Sequence, residues 1–531
     1  MIFMLRQLLT AVSFIILVIS CSNKAGSSSI AIIPRDTTIT KVNAYTLLTL
    51  DSSSVANFLF KEGLVNDEAV NIVNFYNHRN FQYAWFDEEG LTEQGEAFWN
   101  LHESNAEELK DTTTSSLMLH RYMTGLPETT GPSIQSDTLA LIELLLTKHF
   151  FAYLQKSFKG KVDPKEMQWY IPRRKLNNQS IIDSFLNSSG KNWNPLNKSF
   201  YKLDSALSVY SSIAKGGGWP MLTITNYKLV KGAKSAEVTL LKKRLAASGE
   251  FATNDTNQVF NSKLENALKK QQRSFGFTET GKPDKQLITQ LNVPVEDRIR
   301  QMKINLERMR WMPEDNADRL WANIPEFKLH VFENNTEAMV INIVVGKAAN
   351  RTVIFSDSLR YIVFSPYWNV PNSIVEKEIL PAMARNSNYL GRNNMEIVKS
   401  NGGTPTIRQK PGGANSLGKV KFLFPNRYNI YFHDTPAKTL FSSEQRAFSH
   451  GCIRLQKPVE LAKFLLKDQA AWDDARIDTA MNQQKEQWVT LLSARPVYVV
   501  YFTSWVDQEG ILNFRDDIYE HDKRMADHLF K

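Results

Sequence analysis

The chain has 531 residues, 42% of them hydrophobic and 22% charged, with a formal net charge of +9. Domains run to ~100–200 residues, so three or four are expected, each with an ordinary globular core. The basic excess is thin for this length, and no basic stripe is interleaved with aromatics, which argues against a nucleic-acid partner.

At the N-terminus Arg6 precedes an apolar run from Leu8 to Ile19, interrupted only by Thr10 and Ser13 and followed by Ser20-Cys21. The run is shorter than the ~20 apolar residues of a membrane span. It reads as a lipoprotein signal peptide over 1–20, with Cys21 diacylated as the mature N-terminus. An ordinary signal peptide or an uncleaved anchor is the alternative, and under each the remainder is exported. Ser22 after the cysteine resembles lipoproteins sent to the outer membrane. The expected location is therefore the periplasmic side of a bacterial envelope, anchored by lipid.

Residues 21–44 form a tether of small polar residues. Residues 45–227 read as a helical domain: Val55, Phe58, Leu59 and Leu64 recur at helical spacing, and Leu139–Leu146 carries a buried helix. Turn-rich stretches at Gly125–Pro132 and Gly216–Pro220 break it. Residues 228–295 hold three short helices. Ser235 caps the first, the second runs from Ser262 to Phe275 and stops at Gly276, and the third follows Pro283. Residues 296–318 contain a charged helix with Arg298, Arg300, Arg308 and Arg310, read as a solvated linker. From 319 to 505 β-branched and aromatic runs predict a β-rich domain, with an inserted capping subdomain at about 368–415. Residues 506–531 form an extension with a hairpin near Gly510. The fold class is multi-domain α+β.

Chemistry concentrates in Tyr431-Phe-His433-Asp-Thr-Pro436 and Ser449-His450-Gly451-Cys452-Ile453-Arg454. The thiolate rather than the thiol is the nucleophile, so acyl transfer by cysteine needs an imidazole in reach. A turn containing glycine can bring backbone N–H groups to an oxyanion. Three rivals stand beside this reading: a zinc site, a buried inert thiol, and a cysteine peptidase of another fold. Zinc is weakened by the lack of further Cys or His pairs.

His433, a gap of fifteen residues, and Ser449-His-Gly-Cys-Ile-Arg454 together resemble the signature of L,D-transpeptidases with a YkuD-type catalytic domain. Trp321–Phe327, Val345-Gly-Lys, Pro366–Pro371, Asn415–Gly418 and Lys421–Asn426 are similar to the large subgroup with a helical scaffold and a peptidoglycan-binding module. Gly160–Pro164 and Gly217–Pro220 fit its scaffold. The chain departs from the pattern at Gln271, at Thr280-Gly281 and at Thr352-Val353.

The resemblance implies Cys452 as nucleophile and His433 as general base and acid, held by a backbone carbonyl. Gly451 and Cys452 would lend backbone N–H groups to the oxyanion hole, and His450 would shape the turn. Arg454, Ser449, Tyr367, Trp368 and Asn415 would meet the substrate. No metal and no cofactor is implied. The partners would be peptidoglycan stem peptides, as tetrapeptide donor and acceptor amine, and the membrane through the lipid anchor. The expected reaction is 3→3 cross-linking through a thioester, with release of D-Ala. The alternatives are hydrolysis at the same site, as carboxypeptidase or endopeptidase, attachment of a protein to the wall, and a non-catalytic wall-binding scaffold.

Overall fold

The computed structural model describes residues 30–109, 112–125, 136–173, 178–188, 190, 193, 196–252, 255–313, 317–400 and 403–530. The signal peptide at 1–20 and the lipidation site Cys21 lie outside the described residues. Among those described, no helix is long and apolar enough to cross a membrane. The chain divides into two compact units, Met1–Gly160 with Lys175–Leu196, and Lys161–Arg174 with Asn197–Lys531.

The first unit is helical: α1 Ser52–Lys61, α2 Asn66–His78, α3 Glu93–Leu109, α4 Thr114–Thr124, α5 Ser136–Leu154 and α6 Asn178–Asn187, with a short ribbon of β1 Phe86–Asp87 and β2 Gly90–Leu91. Helix α5 is mostly apolar, with no broad polar face, so it takes the centre, packed by α1 through α4. Its one buried carboxylate, Glu143, accepts hydrogen bonds from the backbone of Ala84 (2.7 Å) and Trp85 (3.0 Å) and from the Tyr76 hydroxyl (3.0 Å). Burial raises the Glu143 carboxyl to about 7 against those bonds and the Arg79 charge.

Within the stretch 45–227, expected as one helical domain, Lys161–Arg174 and the residues from Asn197 onward fall in the second compact unit. Two extended residues, β3 Trp169–Tyr170, pair with a strand of the large sheet. Helix α7 Lys198–Lys215 packs on the charged helix, here α11 Val295–Trp311. That helix is no solvated linker. Arg298 and Arg308 are buried, Arg298 donating to Gln290 and Arg308 pairing with Asp522 at 2.5 Å. Buried arginine is tolerated only when matched in this way, and Asp522, 214 residues from Arg308, lies too far along the chain for the helix's own sequence to announce it.

Between α7 and α11 sit α8 Ala236–Ala247, α9 Ser262–Phe275 and α10 Lys285–Leu291. Ser235, Asn261 and Asp284 cap them by accepting backbone N–H bonds. Gly276, at φ +77°, ends α9 in a left-handed turn, and a Cβ there would lie 2.6 Å from Arg515 Nε. The Arg515 guanidinium donates to the Ser274 carbonyl at 2.7 Å. Arg515 follows the hairpin of β16 Ser504–Val506 and β17 Leu512–Phe514, so the C-terminal extension clasps the three-helix module.

The large sheet contains β4 Arg319–Asn323, β5 Lys328–Glu333, β6 Thr336–Gly346, β7 Ile354–Phe364, β11 Val420–Leu423, β12 Phe432–His433, β14 Ile453–Leu455 and β15 Gln487–Val500. Its order is β11-β12-β14-β6-β5-β4-β15-β7-β3, and β7 also pairs with β11, which closes the path on itself. A short strand, β13 Ala447–Ser449, pairs with β6. The insertion after β7 forms its own three-stranded sheet, β8 Trp368–Asn369, β10 Thr406–Gln409 and β9 Met395–Lys399, over a core of Val370, Val375, Ile379 and Ile407. The chain is thus multi-domain α+β, with a helical N-terminal region, a three-helix module and a β-rich C-terminal domain.

Candidate active site

Side chains alternate across a strand, so Tyr431 and His433 share one face of β12 while Phe432 takes the other. The same holds for Cys452 and Arg454 about Ile453. Strands β12 and β14 run parallel in the register Phe432↔Ile453 and His433↔Arg454. Phe432 and Ile453 are fully buried in the core, which puts Tyr431, His433, Cys452 and Arg454 together on the opposite face. The Ile453 N–H donates to the Tyr431 carbonyl (3.2 Å), and the Tyr431 ring lies 5.8 Å from the His433 ring, centroid to centroid.

His433 is 4% exposed, and its Nδ1 lies 2.5 Å from the Asp434 carbonyl. A carbonyl only accepts, so Nδ1 carries the proton and Nε2 is left as the acceptor. Burial, and then the Arg454 charge, lower the imidazole pKa to about 4. Burial raises the Cys452 thiol, opposed by hydrogen bonds from Tyr431 and by the charge of Arg454. Both directions favour a neutral thiol beside a neutral imidazole at rest. Cys452 Sγ contacts the Asn429 carbonyl at 3.5 Å, and Cys452 is the free cysteine among the described residues.

The turn holding Cys452 is tied from inside. Ser449 Oγ donates to the Cys452 carbonyl at 2.6 Å and accepts from the Gly451 N–H at 3.1 Å. Ser449 therefore shapes the turn rather than meeting substrate. The Gly451 N–H, expected in the oxyanion hole, is engaged by that hydroxyl. The Tyr431 side chain, to which the sequence reading gave no role, shares this face with the sulfur and opposes the rise of the thiol. Gly451 itself is required by its φ of +116°. Behind the turn, Thr352 Oγ1 donates to the Gly451 carbonyl at 2.9 Å and accepts from the Gly346 N–H at 2.9 Å. The Tyr519 hydroxyl donates to the Gly346 carbonyl and accepts from the Thr352 N–H (3.3 Å). Tyr519→Phe leaves that buried carbonyl short of a donor and should cost about 1–3 kcal/mol, read from chemical denaturation.

The remaining expected site residues divide. His450 is exposed, and its Nε2 lies 3.1 Å from Glu378 Oε1, so it links the turn to the inserted subdomain. Arg454 Nε is enclosed and has no hydrogen-bond partner among the described residues. Tyr367 is half-buried under the Arg408 guanidinium (4.3 Å), and Trp368 packs against the core of the insertion. Asn415 is 2% exposed, with its amide donating to the carbonyls of Pro366 (3.1 Å) and Lys410 (2.9 Å) and accepting from Leu417 N–H (2.8 Å). It braces the base of the insertion and does not line a groove.

A second histidine cluster can be set aside as a base. His330 bonds Glu326 (3.0 Å) and Glu337 (2.5 Å) beside a cavity of about 160 Å³. Burial opposes its charge, but the Glu326 carboxylate and both hydrogen bonds outweigh it and hold His330 up to about 9. It is an imidazolium at neutral pH. Among the described residues no group of three or more His, Cys, Asp or Glu is placed to hold a metal ion.

Three family models match separate stretches: "Scaffold domain" over residues 71–207, "Putative peptidoglycan binding domain" over 234–291 and "L,D-transpeptidase catalytic domain" over 317–497. A Haemophilus influenzae protein named "Putative L,D-transpeptidase" is 30% identical over 239 residues, which are 42% of this chain and 48% of that protein. The chain thus spans about half the length of this curated relative. Among solved structures, Mycobacterium tuberculosis L,D-transpeptidase 1 is 17% identical, with 35% of this chain and 61% of that chain covered and a TM-score of 0.16. An L,D-transpeptidase from Stackebrandtia nassauensis is 13% identical, with 52% and 97% covered and a TM-score of 0.22.

Proposed function

We propose that this chain, which carries a YkuD-type L,D-transpeptidase catalytic domain behind a scaffold domain and a peptidoglycan-binding domain, cross-links peptidoglycan stem peptides through Cys452. The observation that supports this most is the shared face of β12 and β14, where a neutral His433 with its Nδ1 fixed stands one strand from the thiol. Cys452 Sγ attacks the carbonyl of the L-centre at stem position three, and its proton passes to His433 Nε2. The tetrahedral oxyanion is met by the Tyr431 hydroxyl and the Cys452 backbone N–H. His433 then protonates the departing D-Ala amine, leaving a thioester. The side-chain amine of a second stem attacks that carbonyl and gives its proton to His433, which returns it to the sulfur. The product is a 3→3 cross-link. Arg454, with an enclosed Nε and no partner among the described residues, offers a fork for a substrate carboxylate.

The three-helix module would hold the wall, and acylated Cys21 would tether the chain at the periplasmic side of the outer membrane. Cell-envelope location follows from the peptidoglycan-directed domains, and the anchor from the sequence of the first 21 residues.

Mass spectrometry of muropeptides after incubation with tetrapeptide-bearing peptidoglycan tests the reading, with Cys452→Ala as the blank. New 3→3 dimers with D-Ala release, absent from the blank, are expected. Tripeptides without dimers would assign hydrolysis, and no Cys452-dependent product would leave a wall-binding scaffold.

The pH profile follows from His433. The base must be unprotonated, and its pKa stands at about 4 rather than the ordinary 6.5. The acid limb of kcat/KM should therefore lie well below the usual imidazole range. A limb centred at the ordinary value would show that His433 is not the base, or that its burial is relieved in the working enzyme.

A further inference from the structure

The row of residues that holds His433 continues beyond it. Strand β11 pairs with β12 in the register Lys421↔His433 and with β7 in the register Lys421↔Val363. Strand β15 pairs with β7 as Trp488↔Val363. Paired residues share a face, so Trp488, Lys421, His433 and Arg454 lie on the same side of the sheet, while Phe422, Phe432 and Ile453 fill the core on the other. Lys421 and Arg454 thus flank the base, one strand away on each side.

Lys421 is poorly matched for a cation in this position. Its side chain is 12% exposed, and burial pushes its ammonium below the usual lysine range. The nearest carboxylate oxygen, Glu486 Oε2, is 3.9 Å away, too far for a hydrogen bond. Both Glu486 oxygens already accept, Oε2 from the Tyr367 N–H (3.2 Å) and Oε1 from Trp488 Nε1 (3.0 Å). Beside the ammonium is the Trp488 ring, with its centroid at 5.5 Å. Lys421 makes no hydrogen bond from Nζ among the described residues. An ammonium has three donors, and because Nζ is not wholly enclosed they are left for solvent or for a ligand laid on this face.

We propose that Lys421 is a carboxylate subsite for the donor stem peptide, distinct from Arg454 and reading a second negative charge on the same stem. This rests on the transpeptidase reading of the neighbouring thiol. Strands stand ~4.8 Å apart, so β11 lies about 10 Å across the sheet from the strand that follows Cys452. With its carbonyl at the sulfur, a donor reaches that far with either of two carboxylates. One belongs to the residue before the diamino acid, the other to the diamino acid's own side chain. The chemistry Lys421 recognises is common to both.

The test is calorimetric binding of tetrapeptide donors to the full-length protein carrying Cys452→Ala, with and without Lys421→Met or Lys421→Arg. Three donors are compared: the free acid, one amidated on the residue before the diamino acid, and one amidated on the diamino acid side chain. Lys421→Met should weaken the free acid about tenfold or more, the usual value of a charged hydrogen bond. It should leave unchanged the one donor whose amide replaces the contacted carboxylate, and Lys421→Arg should restore most of the loss. The unaffected donor identifies which carboxylate is read and shows that the variant is folded. Equal losses on all three donors, or no loss on any, would overturn the subsite. Turnover is measured separately on the protein with Cys452 intact: absence of D-Ala release there would sink the transpeptidase reading without touching the binding result.

Discussion

His433→Gln is expected to slow thioester formation by Cys452 by roughly 10²- to 10⁴-fold, the range that positioned general bases contribute. Glutamine keeps some of the volume and polarity of the imidazole but cannot take a proton. The size of the loss follows from the resting state. Burial lowers the imidazole and raises the thiol, so little thiolate exists before substrate arrives, and the proton must move during attack. In an enzyme with a preformed thiolate–imidazolium pair, raising the pH would restore much of the activity of such a variant. Here restoration should begin only above the ordinary thiol range, because the Cys452 thiol is itself raised. Single-turnover release of D-Ala against pH reads both effects. A variant within a few-fold of the parent at neutral pH would mean that another group accepts the proton, and Tyr431 would be the first to examine.

Much of this site could be read in the sequence, because two strands write it in alternation. Tyr431-Phe432-His433 and Cys452-Ile453-Arg454 each set an apolar residue between two that face away from the core, and the apolar residues alone decide which face is core. The caps of the three-helix module were legible for a similar reason, since Ser235 and Gly276 act within one turn of their own position. What the sequence hid depends on partners distant along the chain. Arg298 and Arg308 look solvated until the Phe514 ring and Asp522 come to meet them. Nothing in Ser449-His-Gly-Cys indicates that the serine hydroxyl captures the glycine N–H. Two extended residues at Trp169–Tyr170 are too few to predict a strand, yet they pair with β7 of the large sheet. Lys421 sat within a recognised motif, but its place in the row of His433 needs the register of β11.

Gly418→Ala should damage the site from behind. Gly418 has a φ of +62°, and a Cβ built there would lie 2.5 Å from Asp434 Cβ and closer still to its Oδ2. The left-handed conformation alone costs ~1–2 kcal/mol for a residue with a side chain, and the overpacking adds about 1–3 kcal/mol. The contact cannot be relieved by rotating a flexible end, because Cβ of Asp434 moves only with its backbone. That carboxylate is also held at both oxygens, Oδ2 by the Lys419 N–H at 2.9 Å, Oδ1 by the Thr435 N–H at 2.7 Å and Lys438 Nζ at 2.6 Å. The backbone of Asp434 must then give way, and its carbonyl is the group that fixes His433 Nδ1. A misplacement of ~1 Å in a catalytic group can cost on the order of 10²-fold in rate. Gly418→Ala is therefore expected to lose both stability, by chemical denaturation, and acylation rate. Gly413→Ala serves as the control, since nothing lies within 4 Å of a Cβ there. If Gly418→Ala lost stability but acylated at the parent rate, the Asp434 carbonyl would not be what orients the base.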